Sequence, residues 1–284
     1  MKTPTGLKAV VRDLVRRALA EDLGARGDVT TLLFVPKKAR VTGRVVIKAP
    51  GVLCGVSAAV EVFKQVEPSC KVRVLAEDGR RVRPGQAVLE VSGGRGILTA
   101  ERTALNILQH LSGVATVTAE YAAKVKGTRA KVFDTRKTLP GLRLLDKYAV
   151  LCGGGRNHRL GLHDAVLLKD NHWTCEKDLP KAAAKTRRRF PGMVLEIEAA
   201  DLSQVRLALE ARPDIILLDN MGQGLLRKAI RLIRSCRPSP QVEISGGVSL
   251  STIRSLAELG PDRISVGRIT HSAPALDMSL ELSS

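Results

Sequence analysis

Between Lys131 and Gly267 the chain repeats one pattern, a short apolar run followed by an amphipathic stretch. Runs of β type fall at Lys131–Thr135, Ala165–Lys169, Val194–Glu198, Ile215–Asp219, Val242–Ser245 and Arg263–Gly267. Helical periodicity lies between most of them, at Gly141–Leu151, Asp178–Arg188, Asp201–Ala211, Gly224–Ser235 and Leu250–Leu259. Such alternation predicts parallel strands with helices on the outside. Six runs are clear, and His158–Leu160 leaves room for a short seventh. The rhythm alone leaves an open sheet and an incomplete barrel both standing. Polar residues at the run ends decide for the barrel. They are Thr135, Arg136, Lys137, Lys169, Glu198, Asp219, Ser245, Gly246, Gly247, Gly267 and Arg268. Barrel strands bring all their carboxyl ends to one face, where catalytic sites sit. An open sheet collects them at its switch point.

The part before this rhythm has another texture. Leu7–Leu23 carries an apolar stripe at helical spacing, stopped by Gly24. From Arg40 to Val91, short alternating runs are separated by Pro50-Gly51, Asp78-Gly79 and Pro84-Gly85, which reads as strands and turns. A long helix is expected over Glu101–Lys126, broken near Ser112-Gly113. The expected fold is therefore α/β: an incomplete barrel of six or seven strands, of TIM type, preceded by an α+β sandwich domain. The boundary is placed between 113 and 114, with the last helix packing back on the N-terminal domain.

Charge narrows the ligand. The forty residues from Phe133 to His172 hold seven Lys or Arg, three of the five His, and the run Gly153-Gly154-Gly155. Arg136 and Lys137 directly follow an apolar run, and Lys169 closes another. A cation at a buried strand end costs several kcal/mol, in order of magnitude, unless an anion meets it. A small, strongly anionic ligand is implied. The formal charge of +18 fits the steering of such a ligand. It also permits nucleic-acid binding, but one Trp, two Tyr and four Phe give few stacking platforms, so no nucleic-acid partner is expected. The cluster Lys185–Arg189 reads as a solvated helix end. Five dispersed Cys without a CxxC pair suggest free thiols in a reducing cytoplasm. No apolar run is long enough to span a bilayer, and no secretory signal is visible, so no membrane partner is expected.

Two subsites follow from residue chemistry. Glu196 and Glu198 are two apart on a strand and point to one face, and Asp219 ends the next strand. Carboxylates at neighbouring strand ends suit Mg²⁺ shared with phosphate oxygens. The competing reading pairs Glu196 or Glu198 with Arg136 or Lys169. Ser245-Gly246-Gly247, before a helix, lets backbone N–H groups approach a phosphate, and Val266-Gly267-Arg268 with His271 follows the last strand. On the other side, Arg102, Arg136, His158, Arg159 and Lys169 form a set able to clamp carboxylates. His110 reads as a helix-packing residue, and His163 and His172 as loop residues supporting the site.

At these residues the chain resembles the quinolinate phosphoribosyltransferases. The blocks that carry the likeness are ERTALNILQHLSGVAT, DTRKTLPGLRLLDKYAVLCGGGRNHRLGL, LLKDNH, LEIEA, LLDNM, EISGGV and SVGRITHS. The resemblance implies transfer of the phosphoribosyl group of phosphoribosyl pyrophosphate to the ring nitrogen of quinolinate, with loss of CO₂, in NAD biosynthesis. It assigns Arg102, Arg136, His158, Arg159 and Lys169 to the quinolinate carboxylates. Lys137, Glu198 and Asp219 go to phosphoribosyl pyrophosphate and Mg²⁺, as the catalytic set, and Ser245, Gly246, Gly247 and Gly267 to the 5-phosphate. It also implies a homodimer, or a higher assembly such as a hexamer, in which Lys48 reaches the partner's site where many relatives carry Arg.

Overall fold

A computed structural model describes residues 6–173, 175 and 178–283. Its strands are β1 (Val41–Ile47), β2 (Gly51–Val52), β3 (Lys71–Val74), β4 (Arg81–Val82), β5 (Ala87–Gly93), β6 (Lys131–Phe133), β7 (Val166–Leu168), β8 (Leu195–Ala199), β9 (Ile215–Asp219), β10 (Gln241–Ser245), β11 (Arg263–Ser265) and β12 (Met278–Leu282). Its helices are α1 (Leu7–Leu23), α2 (Val29–Phe34), α3 (Val56–Val66), α4 (Gly96–Lys124), α5 (Arg143–Cys152), α6 (Asp170–Trp173), α7 (Leu179–Arg189), α8 (Leu202–Glu210), α9 (Gln223–Ser235), α10 (Ile253–Ala257) and α11 (Arg268–His271).

The chain divides into two compact units. One holds residues up to Ala119, Thr138–Gly154 and the chain from Ile269 on; the other holds Glu120–Lys137 and Gly155–Arg268. This is not the single cut expected at 113/114, because the α5 segment and the C-terminal segment return to the first unit.

The first unit is built on an antiparallel sheet of order β12-β1-β5-β3. Its last element is a strand, not the expected helix. Met278 pairs with Ile47 and Leu282 with Gly43, so β12 extends the sheet along β1. Burial along MSLEL falls from Met278, which is buried, to exposed Glu281 and Leu282, so the strand packs at its start and runs out into solvent at the sheet edge. Helix α3 was hidden in the strand-and-turn texture; it buries Val56, Ala58, Ala59, Val62 and Phe63. Helix α4 runs unbroken through Ser112-Gly113. Gly113 serves close packing there: a Cβ on it would stand 2.1 Å from the Pro274 carbonyl oxygen. His110 does more than pack, since its Nε2 lies 2.7 Å from the fully buried Asp146 carboxylate. Lys147, on the same helix as Asp146, is buried.

The second unit is an incomplete α/β barrel. Its six parallel strands run in the order β6-β11-β10-β9-β8-β7, so the sheet follows chain order around and opens only between β6 and β7. Of the six or seven strands left open, six form, and His158–Leu160 is not a strand. Instead the glycine segment lies on the free edge of β6: Arg156 N–H donates to the Val132 carbonyl at 2.8 Å, and Asp134 N–H donates to the Arg156 carbonyl at 3.1 Å. Asp178 and Asp201 cap α7 and α8 by accepting from Lys181 and Gln204 N–H. Arg187, Arg188 and Arg189 stand exposed in the last turn of α7, where cations oppose the helix dipole.

Candidate active site

The C-terminal strand ends of the barrel unit enclose a cavity of about 480 Å³. Thr135, Arg136 and Lys137 reach it from the end of β6, and His158 and Arg159 from the glycine segment. Lys169 follows β7, Glu198 lies in β8 and Asp219 ends β9. Ser245, Gly246 and Gly247 close the wall after β10. Eleven residues expected from sequence thus line one cavity.

The others do not. Val266 is buried behind the wall, where its N–H donates to the Phe133 carbonyl at 2.9 Å, and neither Gly267 nor Arg268 lines the cavity. Arg102, Lys48 and His271 belong to the first unit. Arg102 is exposed on α4, Lys48 forms an exposed ion pair with Glu281 of its own chain, and His271 Nδ1 lies 2.6 Å from Ser272 Oγ. His172, expected in a loop, lies in α6, and its Nδ1 accepts the Lys169 N–H at 2.9 Å. His163 is exposed next to that strand.

Cations dominate one side. Arg136 and Arg159 are close enough that burial first, and then the Arg136 charge, lower the proton affinity of Arg159. The Arg136 Nε is buried with no hydrogen-bond partner among the described residues. A buried guanidinium donor left unpaired is costly, and an anion in the cavity supplies the missing acceptor. Lys169 Nζ lies 3.0 Å from Glu198 Oε2, so the pairing reading of Glu198 also holds in this state.

The opposite wall is made of backbone. Gly246 has φ +90° and Gly247 φ +59°, and a Cβ at Gly246 would meet Asn220 Oδ1 at 2.1 Å. The turn therefore requires glycine twice over, for its left-handed backbone and for the close approach of Asn220. Helix α10 begins only at Ile253, later than expected. Ser249 and Thr252 bond each other's backbone N–H groups at 3.0 and 3.3 Å and hold the intervening turn irregular.

Five lining residues were not anticipated: Leu167, Leu217, Asn220, Glu243 and Ser265. Glu243 stands two residues before Ser245 on β10, so the two-residue rule that paired Glu196 with Glu198 also finds it. Asn220, at φ +51°, donates from Nδ2 to Asp219 Oδ2 at 2.6 Å and orients that carboxylate.

Two family models cover nearly the whole chain: "Quinolinate phosphoribosyl transferase, N-terminal domain" matches residues 28–112, and "Quinolinate phosphoribosyl transferase, C-terminal domain" matches residues 114–281. The chain belongs to the quinolinate phosphoribosyltransferase family. The nicotinate-nucleotide pyrophosphorylase (carboxylating) of Mycobacterium leprae is 45% identical over 95% of this chain and 96% of its own length. The solved nicotinate-nucleotide pyrophosphorylase of Francisella tularensis superposes with a TM-score of 0.91 at 38% identity, over 99% of this chain and 98% of that one. That of Ehrlichia chaffeensis gives 0.91 at 33% identity over the full length of both chains. As a phosphoribosyltransferase the chain is a pentosyltransferase, and its cavity has the cations and the glycine wall that an anionic base and a sugar phosphate need.

Proposed function

We propose that quinolinate and phosphoribosyl pyrophosphate meet in this one cavity, where the ring nitrogen displaces pyrophosphate at the ribose C1 and the adjacent carboxylate then leaves as CO₂. The product is nicotinate mononucleotide, the family's contribution to NAD biosynthesis. The unpaired Arg136 Nε beside Arg159 carries the reading, because a dicarboxylate supplies the acceptors that the protein does not. Arg136, Arg159, His158 and Lys169 hold the two carboxylates, with Thr135 at the cavity edge. Ser245, Gly246 and Gly247 hold the 5-phosphate through backbone N–H groups. Lys137 offsets the charge that grows on pyrophosphate. The nucleophile is a neutral aromatic nitrogen, so no protein nucleophile is required. Once ribosylated, the ring is cationic and stabilises the electron pair that CO₂ leaves behind. Fixed carboxylates supply the orientation for both steps.

Glu198 and Asp219 fit Mg²⁺ by donor chemistry: both are hard oxygen ligands at the ends of neighbouring strands, and each engages only one oxygen with the Lys169 or Asn220 donor among the described residues. A Mg²⁺ ion held there together with the substrate's pyrophosphate would neutralise leaving-group charge.

Helix α2 supports a homodimer. Leu33 and Phe34 on it are 78% and 81% exposed, a costly arrangement for a lone subunit. The Lys48–Glu281 pair is an exposed ion pair of the kind worth little, so Lys48 can exchange it for a partner's anionic ligand. The five free thiols suit a reducing cytoplasm, and no helix among the described residues is long and apolar enough to cross a membrane.

Pure protein given quinolinate, phosphoribosyl pyrophosphate and Mg²⁺ is expected to release nicotinate mononucleotide and CO₂ in equal amounts. Product from another base and none from quinolinate overturns the substrate. Arg136→Ala and Lys169→Ala are each expected to abolish turnover while the circular dichroism spectrum and Tm stay near wild type. Near-normal turnover in both sinks the site assignment.

A further inference from the structure

Barrel interiors are normally packed with branched apolar side chains. At the floor of this cavity the filling is polar. Strands β8 and β10 bury two carboxylates, Glu196 at 1% and Glu243 at 0% exposure. Both converge on one ring: His158 Nε2 lies 3.1 Å from Glu196 Oε2 and 3.4 Å from Glu243 Oε1. Ser265 Oγ donates to the same Glu243 oxygen at 2.5 Å, and Arg263 Nη1 stands 3.7 Å from its other oxygen. Arg263 is itself held over the Phe133 ring, 4.6 Å from the centroid.

The backbone around the ring is tied as well. The His158 backbone N–H donates to Asp134 Oδ1 at 2.8 Å, and Asp134 is fully buried. The Arg159 N–H points at His158 Nδ1 from 2.8 Å. The Arg159 guanidinium then donates to the Ala165 carbonyl at 3.0 Å. This segment is not a strand and has no continuous ladder to fix it, so the ring is its anchor in the opening between β6 and β7. Burial alone lowers the proton affinity of His158, but hydrogen bonds and charge from Glu196 and Glu243 outweigh it and push the pKa up to about 10. The Arg159 N–H contact describes the neutral ring, whereas two buried carboxylates call for the charged one. The charged ring is favoured, since losing one contact to an adjacent peptide costs less than leaving two buried anions without a cation. In either state Nε2–H faces the acids.

We propose that Glu196 and Glu243 are positioning residues for quinolinate: they fix the His158 ring by its Nε2 and, by anchoring the segment that carries it, set the next residue, Arg159, against a substrate carboxylate. Neither acid has to touch the substrate for this. The proposal rests on the reading that His158 and Arg159 hold a carboxylate of quinolinate. It makes the acids specific to that half of the reaction, since the phosphate wall on Ser245–Gly247 does not depend on the ring.

Steady-state kinetics of the intact enzyme separate the possibilities. Glu196→Ala is expected to raise KM for quinolinate about tenfold or more, with KM for phosphoribosyl pyrophosphate within about twofold of wild type. Glu196→Gln keeps an oxygen acceptor for Nε2–H and is expected to recover most of the loss. Should the Ala variant not fold, Glu196→Asp keeps the charge and withdraws the acceptor, and the same selective rise is expected. A parallel rise in both KM values without rescue by Gln marks a merely structural role and overturns the proposal, as does an unchanged KM for quinolinate. Arg159→Ala is the control. If it leaves KM for quinolinate unchanged, the carboxylate site itself is misplaced and the proposal falls with it. If it raises KM while Glu196→Ala does not, the site stands and only the positioning role fails.

Discussion

His158 shows how one residue's surroundings set both its charge and a stability profile. Its imidazole is buried against Glu196 and Glu243, and the pKa rises from 6.5 to about 10. A base whose folded pKa is raised binds its proton more tightly in the native state, so folding is favoured wherever the native ring is charged. The contribution is complete below pH 6.5 and is lost as pH climbs to about 10. Glu196 acts in the same direction: burial first, then Glu243, raises its pKa, so its ionisation also weighs against the native state as pH rises. Unfolding free energies of wild type and His158→Gln, measured by urea titration at a series of pH values, are expected to converge between pH 6.5 and 10. A gap that stays constant across that interval means the ring is not charged in the native protein.

At the level of elements, the six barrel strands were readable because parallel strands buried on both faces are written as continuous apolar runs, and β9 reads Ile-Ile-Leu-Leu before Asp219. Helix starts were readable at Asp178 and Asp201, where an Asp cap precedes a full amphipathic stretch, whereas the six-residue α2 behind the Asp28 cap was too short to show a period. What stayed hidden depends on contacts distant in sequence. The strand nature of β12 comes from pairing with β1, more than two hundred residues earlier in the chain. Strand spacing picks out Glu196 and Glu243 as inward carboxylates, but their shared partner shows only once His158, from a loop, lands between them. Gly113 is the sharpest case, since a glycine mid-helix signals a break by propensity but fits a close approach in the fold. Gly113→Ala therefore has opposite expectations on the two views. Helix propensity favours Ala by up to about 1 kcal/mol. A Cβ 2.1 Å from the Pro274 oxygen forces the backbone apart instead, a destabilisation of about 1–3 kcal/mol or more. A lowered Tm is expected, and a raised one refutes the close approach.

For the whole molecule, the positive charge and the assembly belong together. A net charge of +18 draws anionic substrates to the protein, yet the cavity's own cations account for only part of it. If Lys48 serves a partner's cavity, each site is built from two chains, and inactive subunits can repair each other. Lys48→Ala and Lys169→Ala are each expected to be inactive as pure proteins. Dissociated and reassociated together at equal concentration, they form mixed dimers in about half of cases, and in each mixed dimer one of two sites receives Lys48 from one chain and Lys169 from the other. Activity should then recover to about a quarter of wild type. The expected recovery also depends on dilution, because it requires subunit contact through surfaces such as Leu33 and Phe34, and a Phe34→Asp change in both chains should suppress it. No recovery on mixing, or full activity of Lys48→Ala alone, confines each site to a single chain.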